Sequence, residues 1–405
     1  VIDNALLAGG FEGLTMLFDV SSAPHYFTPE HAAFRASVRA FVSREITPFA
    51  SQWDEACSFP RALYTKAAEL GLLGIGYDEI YGGTPADIFY QLIVMEELAR
   101  CGAGGVAASL MSHSIGLPPV AHHGSAELKE RIIPAVLRGE RIAALAVTEP
   151  SGGSDVAALK TTAVRDGDAY VVNGEKVFIT SGMRADVITV AVRTDPASKG
   201  AAGISALLVE GDAAGLSRTE LKKMGWWASD TAQLHFDQVR VPVANLIGQE
   251  NQGFKVFMNN FNSERLGMAA QACVYAQVCL EEAWAWARER KTFGISLSER
   301  QVIRHKLMDM LARIDAARSL IYDLAWRLRE RVGDQNQLVA RTCMAKVLAT
   351  QAMQLCADQA VQILGGMGFM RGTVSERIYR EVKVMMIGGG SEEIMKDLAA
   401  RQLGL

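Results

Sequence analysis

Three short tracts carry side chains whose types and spacing could do chemistry. TEPSGGSD (148–155) leaves an apolar run for a Gly/Ser loop. Such a loop exposes backbone N–H groups and hydroxyls that can cradle an oxyanion or a flat heterocycle, although an ordinary tight loop reads the same way. FKVFMNNFNSERLGMAAQA (254–272) places Phe257, Phe261, Glu264 and Met268 on one stripe of a helix. A carboxylate on an apolar stripe should have a raised pKa, which suits a general base. Periodicity alone favours a salt bridge or a helix-edge glutamate. In IGGGSEE (387–393), Gly388, Gly389 and Gly390 precede Ser391, which can cap a helix whose free N–H groups could meet an anion.

Other candidates are weaker. Arg290 in RERKTFG could meet a phosphate or simply end a charged helix. GGMGFMRG (365–372) is not a GxGxxG between a strand and a helix, so it supports no dinucleotide fingerprint. Trp226 and Trp227 could line a ligand, but core or interface packing is the default reading. His122 and His123 suit a helix C-terminus, and the adjacent Glu96 and Glu97 cannot share a helix face. The six cysteines include no CxxC pair and there is no HExxH, so no metal is expected. The thiols read as buried and free, in a reducing compartment.

Composition narrows the class. Apolar residues are 49% and charged residues 21%, a folded composition. The net charge of -4 offers no field for a phosphate backbone, so nucleic acid is not an expected partner. No run of 18 uncharged apolar residues predicts a membrane span. The first residues, VIDNALLAGGFEG, resemble neither a signal nor a transit peptide. A cytoplasmic location is expected, or a mitochondrial matrix if a transit segment was removed.

The elements that must position these residues follow from period and proline. All eleven prolines lie at or before Pro242, and residues 243–405 have none, so long helices are expected there. Helices are expected over 27–48, 60–72, 86–101, 104–122 and 126–138, making 27–140 a helical domain behind a 1–26 extension. From Arg141 the period becomes that of strands, with Asp-Gly and Asn-Gly turns, and 141–250 reads as an antiparallel β domain. Helices near 254–291, 300–331, 336–364 and 392–402 make 251–405 a bundle of a kind that often pairs with copies of itself. The order helical, β, helical defines an α+β chain and argues against a Rossmann domain.

From about Phe27 to Leu405 the chain resembles the acyl-CoA dehydrogenase family of flavoproteins. The resemblance rests on motifs in one order: LAVTEPSGGSDVAALKT, FITSG, KMGWWASDT, RKTFG, QILGGMGFM and YREVKVMMIGGGSEEIMKDLAARQ. It implies a C-terminal four-helix bundle, with FAD between the β and C-terminal domains. Leu145, Val147, Thr148, Gly153 and Ser154 would contact the flavin and the substrate edge. Phe178, Ile179 and Thr180 would cover the ring, with phenylalanine where many members carry tryptophan. Arg290, Thr292, Phe293, Gln301, Gln362, Ile363 and Gly366 would reach FAD from a neighbouring subunit of a homotetramer. Ser391 and Glu393 would contact its other end.

The departure lies at the base. Many members carry a catalytic glutamate where this chain has Gly389. The long-chain and isovaleryl branches of the family place it at the position of Glu264, one residue before an arginine, as in NSERLGMAA. The resemblance therefore implies Glu264 as base, with the Gly389 N–H left to polarise the thioester carbonyl. Ser154, Phe261, Arg265, Gly388 and Gly389 would bind substrate. The expected reaction converts a long or methyl-branched acyl-CoA, such as a thioester of the citronellyl type, into its trans-2-enoyl-CoA, with electrons passing to an electron-transferring flavoprotein. An acyl-CoA oxidase is the alternative, disfavoured because oxidases usually carry a further C-terminal domain. A non-catalytic acyl-CoA-binding flavoprotein is another.

Overall fold

A computed structural model describes residues 25–405; all but the last two residues of the expected 1–26 extension lie outside them. The N-terminal part is helical. Helix α1 (Pro29–Glu45) starts at a Thr28/His31 capping box with proline in its first turn. It buries Val38, Phe41 and Val42 against the apolar face of α4 (Ile88–Ala99). Short helices α2 (Ala50–Glu55) and α3 (Ala62–Glu69) lie between them. The single helix expected over 104–122 is instead three: α5 (Gly104–Leu110), α6 (His113–Gly116) and α7 (Pro118–His123). Proline starts a helix more readily than it continues one, so Pro118 and Pro119 restart the chain there. Helix α8 (Ala126–Leu137) follows.

The middle part is one sheet in the order β6-β7-β3-β2-β4-β5-β8, with β1 paired to β4. Its strands are β1 (Ala143–Ala146), β2 (Thr162–Asp166), β3 (Ala169–Thr180), β4 (Val187–Arg193), β5 (Ile204–Glu210), β6 (Leu216–Glu220), β7 (Thr231–Pro242) and β8 (Leu246–Ile247). Most pairs are antiparallel, but β1 runs parallel to β4, and β2 meets β4 in parallel at one residue pair. The expected antiparallel domain is thus found with these two parallel pairings added. Alternation shows which face a residue occupies, not which strand lies beside it. Strands β4 and β5 are buried almost throughout. One face meets α7 and α8, and the other packs on β3 and β7.

The last third is helical. Helices α9 (Gly253–Glu289), α10 (Gln301–Glu330) and α11 (Gln335–Leu364) are long, as their lack of proline predicts. The two-residue strands β9 (Lys291–Thr292) and β10 (Ile295–Ser296) form a hairpin between α9 and α10. A one-turn α12 (Gly366–Phe369) stands where a glycine turn was expected. Helix α13 (Val374–Ile387) was not expected; it packs on α9 and α11 to complete the bundle. Its apolar stripe of Ile378, Val382 and Met385 is interrupted by the buried Arg377 and Glu381, which blurs the period. Helix α14 (Glu392–Gln402), capped by Ser391, ends the chain. Among the described residues no helix is long and apolar enough to cross a membrane.

Candidate active site

A cleft of about 1960 Å³ opens where the three parts meet. Its β-domain wall carries Leu145, Val147, Thr148, Gly153, Ser154, Phe178, Ile179 and Thr180. The facing wall carries Phe261, Glu264, Arg265 and Met268 from α9, then Gly388, Gly389, Gly390 and Ser391 from the loop before α14. Residues distant in sequence thus meet in one space. On the expected stripe, Phe261, Glu264 and Met268 line the cleft, while Phe257 turns into the core beneath the β domain.

The β-domain wall is shaped by a buried ion pair that sequence reasoning missed. Lys176 is fully buried and donates to Glu149 Oε1 at 2.8 Å and to Val147 O at 3.0 Å. The Glu149 carboxylate also accepts the N–H groups of Lys160 at 2.6 Å and Thr161 at 2.9 Å. Burial pushes the Lys176 ammonium down to about 8, against the pull of Glu149. The TEPSGGSD loop is thereby anchored from below. A lysine inside a strand looks like a solvated residue, so only an apolar run on both sides of it could have signalled burial.

Beyond Lys176 the β3–β7 register shifts, and Phe178 takes a left-handed backbone, φ 62°. The ring is 69% exposed on the cleft wall. A bulge that aims an aromatic ring outward, at a cost in backbone strain, marks a surface shaped for a ligand. The hydroxyls of Thr148, Ser154 and Thr180 make no hydrogen bond to other described residues. An aromatic face ringed by free hydroxyls fits a flat, polar-edged ring system such as a flavin.

On the other wall Glu264 stands among apolar neighbours. Burial pushes its carboxyl up to about 7, opposed by the positive charges of Arg265 and Lys346. Its Oε2 is buried without a hydrogen-bond partner. Arg265 donates from Nε to Gly389 O at 3.0 Å and from Nη1 to Asn262 Oδ1 at 3.1 Å. It therefore holds the glycine loop. Gly389 has φ +66°, and a β carbon there would meet Met268 Sδ at 2.9 Å.

Eight expected residues do not line the cleft of this chain: Arg290, Thr292, Phe293, Gln301, Gln362, Ile363, Gly366 and Glu393. Thr292 accepts from Arg300 through its carbonyl at 2.6 Å and its Oγ1 at 3.2 Å. Phe293 is 99% exposed. Trp226 takes the less favoured of its two expected places and lines the cleft, with φ 54° and an unpartnered Nε1. Trp227 instead lies beneath the guanidinium groups of Arg371 and Arg380. Glu96 and Glu97 are buried ion-pair partners of Arg35. His122 and His123 occupy the last turn of α7.

A helical domain, a β domain and a helical bundle enclose a cleft in which a carboxylate stands opposite an aromatic, hydroxyl-rimmed wall, an arrangement suited to proton removal beside a flat ring system. Comparison with known proteins agrees. Residues 28–140, 144–239 and 251–404 match the N-terminal, middle and C-terminal domains of acyl-CoA dehydrogenase. The chain belongs to the acyl-CoA dehydrogenase family. It is 38% identical over 379 residues to the mitochondrial long-chain specific acyl-CoA dehydrogenase of Rattus norvegicus, covering 93% of this chain and 87% of that protein. The crystal structure of a probable acyl-CoA dehydrogenase from Mycobacterium abscessus matches with TM-score 0.90 and 45% identity, over 94% of this chain and 100% of that one. A structure described as the electron-transferring flavoprotein of Acidaminococcus fermentans, in work on flavin-based electron bifurcation, matches with TM-score 0.88 and 33% identity, over 93% and 98%.

Proposed function

We propose that the chain removes the α proton and β hydride of a long or methyl-branched acyl-CoA, with Glu264 as the base. The observation that carries this reading is the Glu264 carboxylate, held near neutrality with one unpartnered oxygen in the same cleft as Gly389 and the Phe178 wall. FAD, when bound, supplies the two-electron acceptor for the β hydrogen. Thr148, Ser154, Phe178 and Thr180 would hold its ring system.

The chain's own residues do the rest. The thioester lies between Glu264 and the Phe178 wall. The Gly389 N–H polarises its carbonyl, which acidifies the α carbon. Glu264 accepts the α proton, and the electron pair left behind forms the new double bond as the β hydrogen departs as hydride. Apolar side chains exclude water, so the carboxylate is a stronger base than in bulk solvent.

Substrate class is supported by the apolar wing of the cleft between α4 and α9, where Leu92, Met95, Met111, Ile115 and Phe261 lie. The three glycines remove bulk beside the reacting carbons. The long-chain specific relative supports the same reading. An electron-transferring flavoprotein is the proposed acceptor, as the expected partner of this family. The exposed Phe293 and the residues at the ends of α11 and α12 suit a second copy that completes the FAD site of a tetramer.

Anaerobic titration with straight and branched acyl-CoAs tests this function. Loss of oxidised-flavin absorbance with long or branched thioesters is expected. An absorbance that no acyl-CoA changes would reject the activity, and loss with short straight chains alone would reject the substrate class.

A further inference from the structure

Lys346 is a buried charge whose only role so far is to oppose the rise of the Glu264 pKa. It lies in α11, 1% exposed. Its Nζ donates to Gly388 O at 2.5 Å and to Gly390 O, with Met386 O at 3.5 Å. Arg265, from α9, takes the intervening Gly389 O at 3.0 Å. Every carbonyl of the three-glycine loop is therefore held by a side chain from another helix.

The loop does not determine its own shape. Gly389 and Gly390 have φ of +66° and +111°, and glycine has little preference among such conformations. An external clamp must choose one. In a trans peptide the N–H points opposite to the C=O, and no described peptide is cis. Drawing Gly388 O onto Lys346 therefore turns the Gly389 N–H to the side away from Lys346. No acceptor for that N–H is found among the described residues. Three donors on an ammonium suit three carbonyls, whereas an apolar side chain would fill the same volume without the cost of burying a charge.

We infer that Lys346 is a positioning residue, clamping the Gly388–Gly390 loop so that the Gly389 N–H is aimed at the thioester carbonyl. The inference rests on the reaction proposed above. Negative charge grows on that oxygen as the α proton leaves, so a misaimed N–H costs more in the transition state than in the bound ground state. The rate should suffer more than substrate binding.

The test compares Lys346→Met and Lys346→Arg as FAD-loaded enzymes. Two ligands are titrated calorimetrically: a 3-oxoacyl-CoA, which ionises to an enolate, and an S-alkyl-CoA thioether of equal chain length without a carbonyl. Lys346→Met should lose about tenfold or more in kcat with KM within about threefold. It should bind the 3-oxoacyl-CoA about tenfold more weakly and the thioether within about twofold. Lys346→Arg, which keeps charge and donors, should recover part of both losses. An unchanged kcat, or equal weakening of both ligands, would overturn the inference. Should Lys346→Met fail to yield folded holoenzyme, Lys346→Gln is read by the same ligand pair. Glu264→Gln separates this inference from the base assignment. It should abolish turnover yet keep the preference for the enolisable ligand; retained turnover would reject the base and leave the ligand comparison intact as a test of Lys346.

Discussion

A β carbon at Gly389 would stand 3.9 Å from Glu264 Oε1. Side chains from these two positions, 125 residues apart in sequence, would enter the same space. With Met268 Sδ only 2.9 Å from that β carbon, the space holds one carboxylate, and here it comes from α9.

Gly389→Ala should therefore be poorly tolerated. The new methyl meets Met268, and the left-handed backbone disfavours any β carbon. A loss of about 1–2 kcal/mol in thermal or denaturant unfolding is expected. Adding Met268→Ala should relieve the contact but leave the backbone part, so the double variant should show less than the sum of the two single losses.

Glu264→Gln keeps the volume and removes the proposed base. Flavin reduction by a good acyl-CoA should slow by about a thousandfold or more, measured by anaerobic stopped flow. In the wild type, kcat/KM should rise with pH through about 7, where the free carboxyl loses its proton. The variant should lose that acidic limb.

The same substitution should stabilise the protein at alkaline pH. The folded pKa of Glu264 lies above its ordinary value of 4.5, so the folded state holds its proton longer than the unfolded chain. Stability from this group is intact below about 4.5 and is lost as pH rises to about 7. The carboxyl opens into the cleft on one side, which limits the loss to at most about 3 kcal/mol. Unfolding of Glu264→Gln against wild type should show an advantage that is full above pH 7 and fades near pH 5.

Glu149→Ala should unmoor the β-domain wall. It leaves Lys176 buried without a counter-ion and frees the N–H groups of Lys160 and Thr161. A loss of about 3–5 kcal/mol is expected, together with weaker FAD retention on gel filtration. Replacing both partners, as in Glu149→Leu with Lys176→Met, should recover much of the stability but not the shape of the 148–155 loop.

Much of the scaffold was legible in the chain. The proline-free tract announced the three long helices, and the Ser391 cap fell where the pattern placed it. Glu264 lay on an apolar stripe, but periodicity alone favoured an ordinary ion pair, and it was the resemblance of NSERLGMAA that singled it out. The misses share a cause. Lys176, Lys346, Arg377 and Glu381 are charged residues at buried positions, and each looks solvated until its partner from a distant element is known. Helix α13 was hidden by two of them, and the parallel pairing of β1 by the fact that alternation carries no neighbour order.

By itself the sequence determined the order of helical, β and helical parts, the apolar stripe on which Glu264 lies, and the glycine run at 388–390. Those properties are local, because propensity, period and the lack of a side chain act over a few residues. Tertiary structure alone decided that Glu264 and Gly389 address one cleft, that a bulge turns Phe178 into it, and that Lys346 and Arg265 hold the glycine loop. These depend on distances between groups far apart along the chain. Only the packing of α9, α11 and the β domain against one another sets those distances.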